Sequence, residues 1–205
     1  MPTWFRKKPA WLSRAFSRRK SRRVLRLEQL CTRDLLSNVP LGASVNDTAE
    51  FMLGDIVVNV VLLESNGAVD NNTENWTSAQ IADVKQRIEQ GAQWWENALA
   101  NFSPNSYLKF HFDYTFADSP LSTSYEPIAR PSDDYPLWVD EFLYEVGYLS
   151  NGQLSDDIRA YNHSQRVSHD ANWSFTIFVV NNASDADKQF ALNGSFLRSF
   201  AFSGG

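Results

Sequence analysis

Residues 55–63 read Asp-Ile-Val-Val-Asn-Val-Val-Leu-Leu, a nearly continuous apolar run. A β-branched run this short predicts a strand buried on both faces, as at the centre of an α/β sheet. Residues 64–75, rich in Asn and Gly, then predict a loop. After it the period changes. Ile81, Val84, Ile88, Ala92, Trp95 and Leu99 recur at steps of three and four, one stripe of a long amphipathic helix. Thr77 and Gln80 have the spacing of a capping box at its start. Trp94 lies beside the stripe and reads as flanking core or as an exposed aromatic contact, the core reading being the simpler. At residues 108–116 the period falls to two: Phe110, Phe112, Tyr114 and Phe116 alternate with Lys109, His111, Asp113 and Thr115. That predicts a second strand with an aromatic core face and a polar face, completing a right-handed βαβ unit.

Residues 117–136 hold Pro120, Pro127, Pro131 and Pro136 and predict an irregular excursion, either a proline-stiffened surface loop or a lid or cleft wall. A helix is expected over residues 136–149, ended by Asn151-Gly152, and a shorter one capped by Ser155 with Asp156 and Asp157 at its positive end. Residues 173–180 (Trp-Ser-Phe-Thr-Ile-Phe-Val-Val) predict an internal strand, and residues 196–202 a fourth. The fold class expected is α/β: a mostly parallel twisted sheet of about four strands, packed by one long amphipathic helix and two shorter ones. The divisions expected are a basic leader over 1–37, a linker over 38–54, and a single α/β domain over 55–205, incomplete at its carboxyl end.

Charge separates the leader from the rest. Eleven of the nineteen Lys and Arg residues lie in the first thirty-three positions, against one acid, Glu28. The remainder holds eight bases and twenty-three acids, an excess of fifteen negative charges. A body so acidic repels phosphates, which speaks against a nucleic-acid partner. The leader has no apolar core of the length that a secretory signal needs, and no run in the chain approaches a membrane span. The only cysteine, Cys31, lies in the leader, so the body has neither disulfide nor thiol chemistry.

Candidate chemistry is thin. His111, two residues from Asp113, could orient an imidazole, although a solvent-facing strand histidine is the simpler reading. His163 and His169 are six apart and miss the i, i+4 spacing that places two zinc ligands on one helical face. Asp133-Asp134, Asp156-Asp157 and the Asp185/Asp187 pair read as caps or solvated turns, and none matches a calcium loop. No phosphate-binding glycine loop and no G-x-S-x-G elbow occurs. The residues thus give no catalytic, cofactor-binding or metal-ligating set. His111, His163 and His169 are the first suspects should zinc be bound.

Two resemblances add to this. Leu27-Glu28-Gln29-Leu30, Arg33 and Leu35-Leu36-Ser37 resemble the LEQLEDRxLLS leader of planctomycete-type exported proteins, with Cys31, Thr32 and Asp34 departing from it. This implies export to the cell surface or beyond. Asn75-Trp76-Thr77, Gln93-Trp94-Trp95-Glu96, Tyr125-Glu126-Pro127-Ile128 and residues 173–180 resemble the amino-terminal half of exported zinc metalloproteases of the metzincin-like (zincin) kind. The resemblance implies a zincin amino-terminal subdomain, a peptide or protein substrate, and a catalytic zinc held by an H-E-x-x-H helix in a later region. This chain contains no H-E-x-x-H. The expectation is a partial product, inactive by itself and without a cofactor of its own. The competing reading is a non-enzymatic extracellular binding module that uses its tryptophans for surface contacts.

Overall fold

The computed structural model describes residues 40, 43–49, 51, 53–150 and 152–190. The leader and the strand expected at 196–202 lie outside the described residues. The apolar run at 55–63 forms β1 (Gly54–Ser65), which carries every other strand of the sheet. It pairs in parallel with β2 (Leu108–Asp113), β3 (Leu121–Thr123) and β4 (Trp173–Val180). Leu63 faces both Leu121 of β3 and Val180 of β4, so these two lie on opposite edges of β1. Asp55 to Asn59 likewise pair with both β2 and β4 over most of their length, so β2 and β3 take successive stretches of one edge. The mostly parallel α/β class expected from the periodicity is what the chain adopts, and β1 pairs in parallel with each of the three other described strands.

The helices cover both faces. α1 (Ser78–Phe102) spans about 38 Å at 1.5 Å per residue and connects β1 to β2. Its Ile81, Val84, Ile88 and Ala92 meet Ile56, Val58, Val60 and Leu62 of β1. α3 (Tyr135–Glu145) and α4 (Leu154–Ser168) connect β3 to β4 across β1. Their Trp138, Val139, Phe142, Leu143, Ile158 and Tyr161 meet Val61 and Leu63 on the opposite face. The two crossovers run in opposite directions across the sheet. A single right-handed sense therefore sends their helices to opposite faces, giving three layers.

Several expectations need correction. β2 stops at Asp113 because the chain turns into the short helix α2 (Thr115–Asp118), with Asp113 accepting Thr115 N at 2.9 Å. Phe116 is thereby carried to the other face, where its ring meets Phe142 edge-on at 5.3 Å. The proline-rich excursion is structured: it holds α2, β3 and two 3-10 turns, Pro127–Ala129 and Ser132–Asp134. The helix expected to be short is the longer of the pair, fifteen residues against eleven, and it starts from Gln153 rather than a Ser155 cap. No residue of α1 is fully buried, and Trp94 and Trp95 are 62% and 55% exposed. Periodicity correctly chose the face that α1 turns to the sheet. Nothing among the described residues covers the tryptophans.

The segment read as a linker is fastened down in part. Arg166 of α4 is fully buried and donates to the carbonyls of Asp47 and Ser44, the latter at 2.6 Å. Ser174 N donates to Thr48 O at 2.8 Å, on the outer edge of β4. Gly54 opens β1 at φ +84, and a Cβ there would stand 2.0 Å from Asn172 Oδ1, the atom that accepts Asp55 N. Only glycine fits that position.

Candidate functional site

In parallel sheets, ligands favour the crevice at the carboxyl ends of neighbouring strands whose connections leave to opposite faces. Here that point lies between β1 and β3, since β1 leads into α1 and β3 into α3. The loops that rise from it, residues 66–77 and 124–134, carry five acids: Asp70, Glu74, Glu126, Asp133 and Asp134. Glu74 and Glu126 are 3% and 1% exposed. Glu126 Oε2 accepts both Thr73 N and Glu74 N at 3.2 Å, and Glu74 Oε2 accepts Ser184 N at 2.9 Å. Asp70 accepts Glu126 N at 3.1 Å and is gripped by Arg130, whose Nη2 lies 3.0 Å from Oδ1. Trp76 Nε1 donates to Leu63 O at 2.9 Å, which sets the loop onto β1 before Thr77 starts the helix.

The two kinds of acid differ electrostatically. Burial pushes the Glu126 carboxyl above its ordinary range, against the two backbone N–H groups that stabilise its charge, and the charges of Glu74 and Asp70 push the same way. The hydrogen bond from Arg130 holds Asp70 below its ordinary range. A buried carboxyl inclined to keep its proton, beside a second buried carboxyl, is the described residues' best candidate for proton transfer. Each of these oxygens also stitches one loop to the next, so the cluster holds the carboxyl end of the sheet together. Reading the sequence missed it. The only signal was an acid placed between apolar neighbours, as in Tyr125-Glu126-Pro127-Ile128.

The histidines do not converge. His111 Nε2 lies 2.7 Å from Asp55 Oδ1, which also accepts Tyr107 Oη at 2.9 Å. His111 is therefore oriented by Asp55, not by Asp113. Asp113 instead faces His169 across 3.5 Å. His163 Nδ1 accepts Arg166 Nε at 3.0 Å, and burial, then the Arg166 charge, lower its pKa. A nitrogen accepting from a guanidinium cannot itself bind a proton or easily ligate a cation. Among the described residues no group of three or more His, Cys, Asp or Glu side chains has an arrangement fit for a metal. The paired acids act largely as expected. Asp185 and Asp187 accept backbone N–H groups within their turns, while Asp156 pairs with Arg159. Asp157 departs from this: it is buried and accepts Ser150 N at 3.0 Å.

A polar patch interrupts the core below α4. Asn59, in the middle of β1, donates through Nδ2 to Ser174 Oγ at 3.0 Å and to Phe175 O at 3.2 Å, while Thr176 Oγ1 donates to Asn162 Oδ1 at 2.7 Å. Asn59 Oδ1 has no partner among the described residues. The patch ties β1, β4 and α4 to one register.

No protein-family model matches the chain, and neither a curated protein nor a solved structure is found to be similar to it. No helix among the described residues is long and apolar enough to cross a membrane.

Proposed function

We propose that this chain is the amino-terminal part of an exported zinc-dependent metallopeptidase, inactive by itself, with residues 1–37 directing export. The observation that carries the reading is the asymmetry of the sheet's two edges. At the β2 edge, Glu96 of α1 accepts Phe110 N at 2.9 Å and Lys109 Nζ at 3.1 Å, which blocks further pairing. At the β4 edge, Thr48 meets Ser174, and no strand among the described residues runs beside Thr176 to Val180. β4 carries no charge and no proline, and its Phe175, Ile177 and Val179 are only half-buried. An uncharged edge of this kind suits continuation of the sheet by further chain. The H-E-x-x-H helix, with its zinc and its peptide or protein substrate, belongs to such a continuation. The scattered histidines of this chain agree with a zinc site located elsewhere.

A second reading draws on Trp94, Trp95 and Phe102, which are 62%, 55% and 92% exposed along one end of α1. Aromatic groups displayed in this way suit a non-enzymatic surface-binding module. One experiment separates the readings: zinc analysis and a protease assay on the purified 205-residue chain. Neither stoichiometric zinc nor hydrolysis is expected. Bound zinc at one equivalent, lost on replacing His111, His163 or His169, overturns the assignment.

A further inference from the structure

The polar patch below α4 leaves two buried groups unmet. Asn59 is 2% exposed and directs its Nδ2 toward β4 and α4, to Ser174 Oγ, the Phe175 carbonyl and, at 3.4 Å, Asn162 Oδ1. The Phe175 carbonyl fixes which branch of the amide is the nitrogen, because only a donor can face it. Oδ1 is therefore the branch turned away from β4, and it has no partner among the described residues. Tyr161 of α4 is also 2% exposed, and its hydroxyl makes no hydrogen bond to a described residue. Buried polar atoms are seldom left so.

Asp113 is the neighbour they share. It ends β2 in register with Asn59 and on the same face of the sheet, with the two strands about 4.8 Å apart. Its Oδ1 accepts Thr115 N and Oγ1 at 2.9 and 2.6 Å, while Oδ2 faces His169 Nε2 across 3.5 Å. Burial opposes the Asp113 charge, but the Thr115 hydrogen bonds and His169 outweigh it and hold the carboxyl below its ordinary range. Burial, then the charge of Asp113, push the Tyr161 phenol up, so it keeps its proton. α4 lies over β1 and β4 and leaves the polar side of β2 open, where His111 and His169 are 52% and 42% exposed.

These groups specify what fits between them. Asn59 Oδ1 and Asp113 Oδ2 only accept, and the Tyr161 oxygen accepts as well as donates. Three acceptors around one carboxylate charge suit a single centre that carries three donors and a positive charge. A water molecule meets two of the acceptors and leaves the charge unpaired. A primary ammonium meets all three and pairs the charge. The fifteen surplus negative charges outside the leader draw such a group toward the body.

We propose that Asn59, Asp113 and Tyr161 form a subsite for a primary ammonium group, entered from the open side of β2 past His169. The ammonium is that of a peptide's amino terminus or of a lysine side chain. The subsite is independent of the metallopeptidase reading: zinc tests that one, and amine binding tests this.

The test titrates the full 205-residue chain, isotopically labelled, with methylammonium, triglycine, Nα-acetyl-lysine methylamide and Nα-acetyl-triglycine. Saturable amide shifts are expected at Asn59, Asp113, Thr115 and His169 with the three amines, and none with acetyl-triglycine. Tyr161→Phe keeps the ring that packs on Phe142 and should weaken binding severalfold. Asp113→Asn keeps an acceptor for Thr115 and should weaken it about tenfold or more, as when one partner of a buried charge pair is lost. Asp133→Asn, in the exposed Ser132–Asp134 turn, should leave it unchanged. Tighter binding of triglycine assigns an amino terminus, tighter binding of the lysine derivative assigns a side chain, and equal binding assigns the ammonium alone. Shifts that never saturate, that acetyl-triglycine reproduces or that persist undiminished in Asp113→Asn overturn the proposal. So does the absence of shifts with every amine, which leaves a hydration site only.

Discussion

Arg166 shows how much of this fold hangs on one buried charge. Its guanidinium donates to Ser44 O, Asp47 O and His163 Nδ1, and so joins α4 to the segment that leads into β1. In Arg166→Met the stem's volume is kept and these bonds are lost. Hydrogen bonds from a charged group contribute about 1.5–3 kcal/mol each, so three sum to roughly 4.5–9 kcal/mol. Ser44 is exposed, and its carbonyl regains water once the guanidinium leaves. A net loss of about 3 kcal/mol follows. At 2–4 °C per kcal/mol, a domain of ~150 residues should melt about 6–12 °C lower. Urea unfolding should show the lower midpoint with an unchanged slope. Exchange at the Ser174 amide, bonded to Thr48 O just beyond Asp47, should speed up more than exchange in α3. The variant also removes a positive charge from His163. In the parent that imidazole binds its proton less readily folded than unfolded, so stability falls as pH drops below its ordinary value of 6.5. This slope should flatten in part in Arg166→Met, because burial, the larger cause of the lowered pKa, stays while the Arg166 charge goes. A loss below about 1 kcal/mol with Ser174 still protected would refute the reasoning.

Other outcomes follow from single contacts. Gly91→Ala should stabilise by about 0.5–1 kcal/mol, because the helix gains propensity and the new Cβ meets open space. Gly54→Ala should destabilise by more than that, because the same methyl collides with Asn172 at a positive φ; paired thermal melts decide both signs. Glu126→Ala strands the buried N–H of Glu74, while the N–H of exposed Thr73 regains water, and should cost about 1–3 kcal/mol, the cost of one group left unsatisfied. Glu126→Gln keeps an acceptor. Because the folded pKa of Glu126 is raised, its stabilising effect is complete below the unfolded value and fades as pH rises through the folded one. Glu126→Gln should therefore gain on the parent between pH 4 and 7 in urea titrations, and a widening deficit would contradict the sign. Thr77→Ala removes the cap seen in the 3.3 Å bond from Gln80 N and should cost about 1 kcal/mol.

The strongly periodic elements were legible from residues alone. β1 and β4 stand where continuous apolar runs placed them, and α1 begins at the capping box of Thr77 and Gln80, whose side chain takes Thr77 N at 2.8 Å. β3 was not legible, because a three-residue strand has no period and exists through its register with Leu63 to Ser65. The turn at Asp113 was hidden by aromatic alternation that continued past the strand's end. Trp95 fell on the α1 stripe and reads as core in sequence, but a stripe records only orientation; whether another element covers it is a tertiary fact. The Glu74–Glu126 cluster depends on loops from β1, β3 and β4 meeting at one point, which no local pattern encodes. For the histidines, spacing alone ruled out a shared helical site for His163 and His169. It could not tell that Asp55, fifty-six positions from His111, holds that imidazole.

The central claim, that this chain is one part of a zinc peptidase whose metal site lies in later sequence, is tested most directly by reading the frame beyond Gly205 and assaying its product. An in-frame H-E-x-x-H is predicted, and the extended protein should bind one zinc and hydrolyse protein in a zinc-dependent way while residues 1–205 do neither. A natural stop with no H-E-x-x-H frame downstream would contradict the account.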